Sequence, residues 1–385
     1  MLEPGNQTRR FAFEFNGNTR DYFGIWIVNL VLTILTLGIY SAWAKVRTNR
    51  YFYGNTRVAG SSFDYTADPK KILLGRAIAV AMLLVYQVLL FFMPAAGITV
   101  LVLFGLAIPF VYLSSIAFRM RYSQWRNIHF GFQRDVGKAY LLLLPLILYV
   151  ILLISAPLLF GIDLNELDVE EDGADLSQRL QQFLTFNSLM VLLGMLAFPL
   201  WQRFYYKFIG DRVRFGRSSF AISLHAGSFY LMYFLALLLV VGLSLLYFIA
   251  VVLVLPTSSD VSQGSLFTAI VFTYLTALLP YIVVFAFIKT YLTNLLYNNL
   301  RTENVAFECT LKFGRMAWIY LTNTLAILVT LGLAVPWSKI RLARYRAAHM
   351  QMLVDGELDV VAADSGELSA SGDAMTDLFD LDIGL

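Results

Sequence analysis

Eight predominantly apolar runs, each close to the ~20 residues a helix needs to cross a hydrocarbon core, alternate with short polar segments along the chain. They are Tyr22 to Trp43, Ile72 to Phe92, Ala96 to Ala117, Ala139 to Phe160, Phe183 to Trp201, Phe229 to Leu255, Phe267 to Ile288 and Met316 to Trp337. The middle six are predicted to pair into three helical hairpins, with tips at Met93 to Ala95, Gly161 to Gln182 and Pro256 to Leu266. A different period governs the polar segments. Each ends in a two-residue alternation around an aromatic side chain: Ser62-Phe63-Asp64-Tyr65, His129-Phe130-Gly131-Phe132, Ser219-Phe220-Ala221-Ile222 and Ala306-Phe307-Glu308-Cys309. The N-terminal stretch offers a matching Phe11-Ala12-Phe13-Glu14-Phe15. Preceded by turn pairs such as Gly54-Asn55 and Gly210-Asp211, these phrases read as short strands. Two arrangements follow from them: strands gathered into a small cytoplasmic sheet, or loops whose Phe side chains dip into the lipid interface. The expected class is an all-α polytopic membrane protein of repeated transmembrane helical hairpins, with about eight membrane segments and short strand-like cytoplasmic connections.

Charge gives this pattern a direction. Of 385 residues 58% are hydrophobic and 14% charged, where soluble domains carry about a quarter charged. Cations crowd the connections between hairpins, from Lys45, Arg47, Arg50 and Arg57 to Lys289, Arg301, Lys312 and Arg315, whereas acids collect in Asp163 to Asp175 and after Asp355. The positive-inside bias therefore places the connections in the cytoplasm and the acidic loop outside. Three regions result: an N-terminal tail over residues 1–21, the repeated transmembrane domain over 22–354, and an acidic tail over 355–385 that is expected to be disordered. Ala42 and Ala44 mimic a signal-peptide cleavage site, but the apolar run before them exceeds the ~7–15 residues of such a segment, and the same segment returns uncleaved later in the chain.

That return is the most specific feature of the sequence. Asn29 to Tyr51 recurs without a gap as Asn323 to Tyr345, sharing Asn, Thr, Leu, Gly, Trp, Lys, two Arg and Tyr at nine aligned positions. Part of the pattern appears a third time. Trp43, Trp201 and Trp337 each follow an asparagine by fourteen residues, Asn29, Asn187 and Asn323, and precede a cation by two, Lys45, Arg203 and Lys339. On a continuous helix that spacing puts Asn and Trp on nearly one face, ~21 Å apart. The tryptophans, with Lys45, Arg47, Arg50, Arg203, Lys339, Arg341 and Arg344, are candidate interfacial anchors. An asparagine in hydrocarbon needs a partner, so Asn29 and Asn323 are expected to hydrogen-bond across helices. The three asparagines act either as packing glue or as the lining of a polar path.

Catalytic and metal chemistry find no support. No Asp or Glu lies inside the eight apolar runs, which argues against proton-coupled transport. There is no Ser–His–Asp set, HExxH or Walker glycine loop. One cysteine, Cys309, and three scattered histidines, His129, His225 and His349, provide no zinc or iron–sulfur ligand spacing. Catalytic, cofactor and metal residues are therefore expected to be none. Pro109, Pro145, Pro199 and Pro280 fall inside apolar runs, as in the broken helices of some carriers, but proline is common in membrane helices without that role.

The run Tyr22-Phe23-Gly24-Ile25-Trp26 through Thr36-Leu37-Gly38-Ile39-Tyr40-Ser41-Ala42-Trp43-Ala44-Lys45-Val46-Arg47, continued by Tyr51-Phe52-Tyr53-Gly54-Asn55-Thr56 and Phe63, resembles the YjgN-type family of bacterial inner-membrane proteins. The resemblance implies a multi-pass protein of the bacterial inner membrane with no assigned activity, and it carries no catalytic residues over. Two functional classes are expected: a transporter or channel for a small polar or amphipathic solute, or a non-catalytic membrane scaffold that interacts with lipid. Expected partners are anionic membrane lipids and, for a transporter, a small-molecule substrate; nucleic acid is not among them, and oligomeric state has no signal in the sequence.

The terminal runs pose a conflict of their own. As full spans, Tyr22 to Trp43 and Met316 to Trp337 put Arg9, Arg10, Arg20, Lys339, Arg341, Arg344 and Arg346 on the outer side, against the charge bias. As re-entrant hairpins they keep every cation inside, although Gly38 and Gly332 lie well past the midpoint of each run.

Overall fold

The computed structural model describes residues 8–161, 173–254 and 263–356. In chain order the elements are β1 (Arg9–Phe15), α1 (Thr19–Leu35), α2 (Ser41–Asn55), β2 (Thr56–Val58), β3 (Ser61–Tyr65), α3 (Pro69–Phe92), α4 (Pro94–Arg121), β4 (Ser123–Trp125), β5 (Ile128–Phe132), α5 (Val136–Leu159) and α6 (Gly173–Gly210). There follow β6 (Val213–Phe215), β7 (Ser218–Ser219), β8 (Ala221–Ile222), α7 (Ala226–Val254), α8 (Gln263–Asn298), β9 (Leu300–Arg301), β10 (Val305–Cys309), α9 (Phe313–Val329), α10 (Val335–Ala348) and β11 (Met350–Val354). Two compact units share them: one holds the strands with α1, α2 and α7 to α10, the other holds α3 to α6.

In the first unit the strand-like phrases pair. The strand order is β7-β6-β5-β4-β3-β2-β1-β11-β10-β9-β8, and its two ends are neighbours in sequence. Segment 218–222 pairs through Ser218 and Ser219 with β6, and through Ala221 and Ile222 with β9. The sheet thereby closes on itself, leaving no free edge among the described residues to template aggregation. Tight turns suit this closure: Ala59 and Gly60, and Arg126 and Asn127, have positive φ at both central positions, the handedness that matches strand twist.

Alternation then sorts the side chains. Phe13, Phe63, Phe130, Phe220 and Phe307, one from each phrase, all join one cluster with Trp125, Phe215, Met352 and Val354. Ring centroids 6.4 Å apart link Phe13 to Phe307, and 6.3 Å links Phe13 to Phe63. The phenylalanines thus fill the ring of strands, which excludes the lipid-dipping alternative, while Arg10 and Glu308 pair on the exposed face at 3.4 Å. Residues 1–21, expected as a tail, contain β1 and the start of α1.

Strands β1, β3, β8 and β10 hand over to a helix in the same way. Backbone amides of Asn16, Thr66, Ser223 and Thr310 donate to the carbonyls of Asn55, Tyr122, Asn299 and His349 at 2.9–3.3 Å. Every such bond ties the foot of an outgoing helix to that of the returning one.

Six helices among the described residues are long and apolar enough to cross a membrane, with only 6–28% of each span's residues buried in the protein. Side chains such as Leu141, Ile154, Leu246 and Phe248 are exposed, a surface that water does not tolerate over this extent. The expectation of about eight membrane segments is corrected to six spanning helices plus two shorter helical hairpins. The all-α class is corrected too, since the connections form an 11-stranded sheet.

The two short hairpins arise where the terminal apolar runs fold back. After α1 the amide of Leu37 donates to Ile34 and that of Gly38 to Thr33; after α9, Leu331 donates to Leu328 and Gly332 to Ile327. This is a Schellman turn. Two residues of each turn have positive φ: a leucine, 49° at Leu37 and 50° at Leu331, and then a glycine, 92° at Gly38 and 95° at Gly332. At 17 residues α1 and α9 are each ~25 Å long, and each is followed by a return helix, α2 or α10. Helices α1 and α10 also pack together, through Tyr22, Ile340 and Ala347 around Phe15.

In the second unit, prolines lie inside helices without ending them, and side chains bond to carbonyls in the turn before each. Pro109 and Pro145 lie inside continuous helices, near Leu106, whose carbonyl accepts from Tyr140 Oη at 2.6 Å, and Leu142, which accepts from Trp201 Nε1 at 2.8 Å. The acidic loop largely lies outside the described residues, as do the tip 255–262 and the tail 357–385.

Candidate functional site in the terminal hairpins

Asn29 and Asn323 occupy equivalent places. Asn29 Nδ2 donates to the Ala44 carbonyl at 3.3 Å and Asn323 Nδ2 to the Ser338 carbonyl at 3.3 Å, each crossing from the ascending to the return helix. The expected cross-helix bond is therefore present, but within one hairpin. The turn between them explains the correction to the spacing argument: Asn29 and Trp43, like Asn323 and Trp337, lie on different helices, not on one face ~21 Å apart. Thr36 and Thr330 repeat as well, their hydroxyls accepting from the amides of Tyr40 and Ala334 at 2.9 Å.

Asn187 does not share this role. It sits on the continuous α6 and donates to the Phe183 carbonyl one turn back at 3.0 Å. Trp201 donates its indole N–H to the Leu142 carbonyl of α5 at 2.8 Å and stacks on Tyr205 at 5.4 Å. Arg203 lies over Phe204 at 5.2 Å.

The cations divide into braces and exposed groups. Arg50 Nε donates to the Tyr65 carbonyl at 3.1 Å, and Arg344 Nη2 to that of Gly17 at 3.2 Å. Arg341 is the most constrained: its Nη1 donates to Thr322 Oγ1 at 2.6 Å and Asn323 Oδ1 at 3.0 Å, and its guanidinium lies 5.0 Å from the Trp337 ring centre. Burial first, and then the Arg315 charge, lower the Arg341 pKa, yet a guanidinium stays protonated at neutral pH. Lys339 and Arg47 are exposed, Lys45 half-buried.

Sequence reasoning missed two structural sets. Tyr51 Oη accepts from the Asn18 amide at 2.9 Å and Tyr345 Oη from the Lys312 amide at 3.1 Å, fixing the foot of each ascending helix; their identity in both copies was the available signal. Asn294 and Asn298 each bond one residue's amide and carbonyl, Leu311 and Cys309 respectively, at 2.6–3.1 Å. Two asparagines four apart just before a strand phrase marked them. Cys309 itself is buried, which raises its thiol pKa. Among the described residues no group of three or more His, Cys, Asp or Glu could hold a metal ion.

A family model described as a bacterial protein of unknown function, DUF898, matches residues 10–378. The chain belongs to the DUF898 family. It is 28% identical over 372 residues to the inner membrane protein YjgN of Salmonella typhimurium, covering 90% of this chain and 88% of that one. Over 54 residues, 14% of each chain, it is 48% identical to the inner membrane protein YjgN of Escherichia coli K12. No solved structure matches. As a DUF898 member with six helices able to span a bilayer, this is a polytopic protein of the inner membrane.

Proposed function

We propose that this DUF898 protein is a non-catalytic, lipid-interacting membrane scaffold. In this reading the strand-bearing connections lie in the cytoplasm, and the two terminal hairpins enter the inner leaflet without crossing it. The observation that carries the reading is the pair of tip leucines. Leu37 and Leu331 are 95% and 94% exposed and held in a backbone conformation that costs ~1–2 kcal/mol for a non-glycine residue. Transfer of a leucine side chain into hydrocarbon returns ~1.5–3 kcal/mol, which offsets the strain only if the tip lies in lipid. Ile34, Leu35, Val329 and Leu333 are exposed around the same tips. Cations at the hairpin feet then meet the anionic surface, each contributing about 1 kcal/mol.

Transport of a small polar or amphipathic solute is the second reading, and the unpaired Asn29 Oδ1 favours it. Weighing against it, the amides of Asn29, Asn187 and Asn323 are bonded to backbone and the ring of strands is filled by aromatic side chains.

The test is depth. A fluorophore on Leu37→Cys or Leu331→Cys, in vesicles with nitroxide-labelled lipids, should be quenched more strongly by acyl-chain labels than by headgroup labels; buried Cys309 leaves the background low. Full quenching by aqueous iodide, with none by acyl-chain labels, would contradict the scaffold reading.

A further inference from the structure

The two hairpins differ at one residue pair in a way that assigns them different tasks. Arg341 and Arg47 are equivalent positions of the repeat, yet every contact that holds Arg341 is missing at Arg47. Thr322, whose hydroxyl accepts from Arg341, is replaced by Val28. Trp337, which lies under Arg341, corresponds to Trp43, whose face is taken instead by Tyr40, the counterpart of Ala334, at 6.1 Å and nearly parallel. Asn323 Oδ1 accepts from Arg341, whereas Asn29 Oδ1 is buried with no partner among the described residues, in a side chain 6% exposed. Arg47 is exposed and makes no hydrogen bond or ion pair among the described residues.

A buried carbonyl oxygen without a donor is destabilising, and a donor eighteen residues away is the very one that satisfies it in the sister hairpin. An arginine withheld from that place is available to an anion, and the guanidinium fork matches phosphate oxygens. Its setting selects the anion: Arg47 is exposed midway along the return helix α2, between the lipid-facing tip and the foot of the hairpin, within reach of headgroup phosphates. We propose that Arg47, left unengaged beside the buried Asn29, binds the phosphodiester of an anionic glycerophospholipid. Arg341, by contrast, is a permanent brace. The first hairpin is the lipid sensor and the second its fixed counterpart, a division that rests on the lipid-interacting reading above.

The experiment uses the full chain purified in neutral detergent, with phosphatidylglycerol or phosphatidylcholine added, reading the melting temperature and the lipid retained. Phosphatidylglycerol should raise the melting temperature of the native protein above its value in phosphatidylcholine. In Arg47→Gln the melting temperature in phosphatidylcholine should hold, while retention of phosphatidylglycerol falls about fivefold, the factor corresponding to about 1 kcal/mol per surface cation. Arg341→Gln should do the reverse, melting lower in both lipids but keeping the phosphatidylglycerol shift. If soluble glycerol phosphate reproduces that shift, the site takes a free phosphate and the lipid assignment falls. If the native protein prefers phosphatidylglycerol and Arg47→Gln keeps the preference, this inference fails while the scaffold reading stands. If the native protein shows no preference and its tips are not quenched by acyl-chain labels, both fail.

Discussion

A chain ended after Ala348 is expected to be nearly absent from the membrane fraction, whereas one ended after Gly356 accumulates like the full chain. The difference is β11. It pairs with β1 from Arg9↔Val354 to Ala12↔Gln351 and with β10 from Val305↔Val354 to Cys309↔Met350, so its loss opens the ring and leaves two unpaired edges. Met352 and Val354, 4% and 0% exposed, contribute ~1.5–3 kcal/mol each by burial, against a total stability typically of about 5–15 kcal/mol. Quantifying both truncations in isolated membranes, with a thermal melt of whatever accumulates, checks this. Equal abundance and melting would mean that ring closure contributes little.

Asn323→Leu is expected to destabilise by about 1.5–3 kcal/mol, the range for a hydrogen bond to a charged group, because it strips Arg341 of its carbonyl acceptor and the Ser338 carbonyl of its donor. Asn187→Leu should cost less than about 0.5 kcal/mol, as expected away from any shared network, since the Asn187 side chain only doubles a bond within its own helix. Asn29→Leu falls between them, losing one cross-helix bond but also an unpaired oxygen. Denaturation in mixed micelles orders the three, and equal losses would remove the distinction between hairpin and helix asparagines.

Parts of this architecture were legible because they are local. Spanning helices follow from apolar length, and the five phenylalanine phrases announced strands by their alternation. Closure was not legible: β1 meets β11 across the whole length of the chain, and nothing at Arg9 or Val354 identifies the other. The hairpin turns were hidden for a physical reason. Leu35, Leu37 and Ile39 flank the reversal and all face outward, so the run from Tyr22 to Trp43 stays apolar straight through the bend, and the glycine that shares the positive-φ turn with Leu37, Gly38, lies well past the midpoint of the run. That concealment made Asn29 and Trp43 look like one helical face. In α6 the same spacing does lie on one helix, and there the asparagine crosses to no partner.

Reporter fusions test the central claim most directly, that the terminal runs turn back and leave every strand on the cytoplasmic side. β1 and β11 are paired, so these two strands must share one side of the membrane. A protein that fluoresces only in the cytoplasm, joined before β1 or after Leu385, should be bright in both fusions, and a phosphatase active only in the periplasm should be silent at both. Phosphatase activity at either end would contradict the account and restore full spans for the terminal runs.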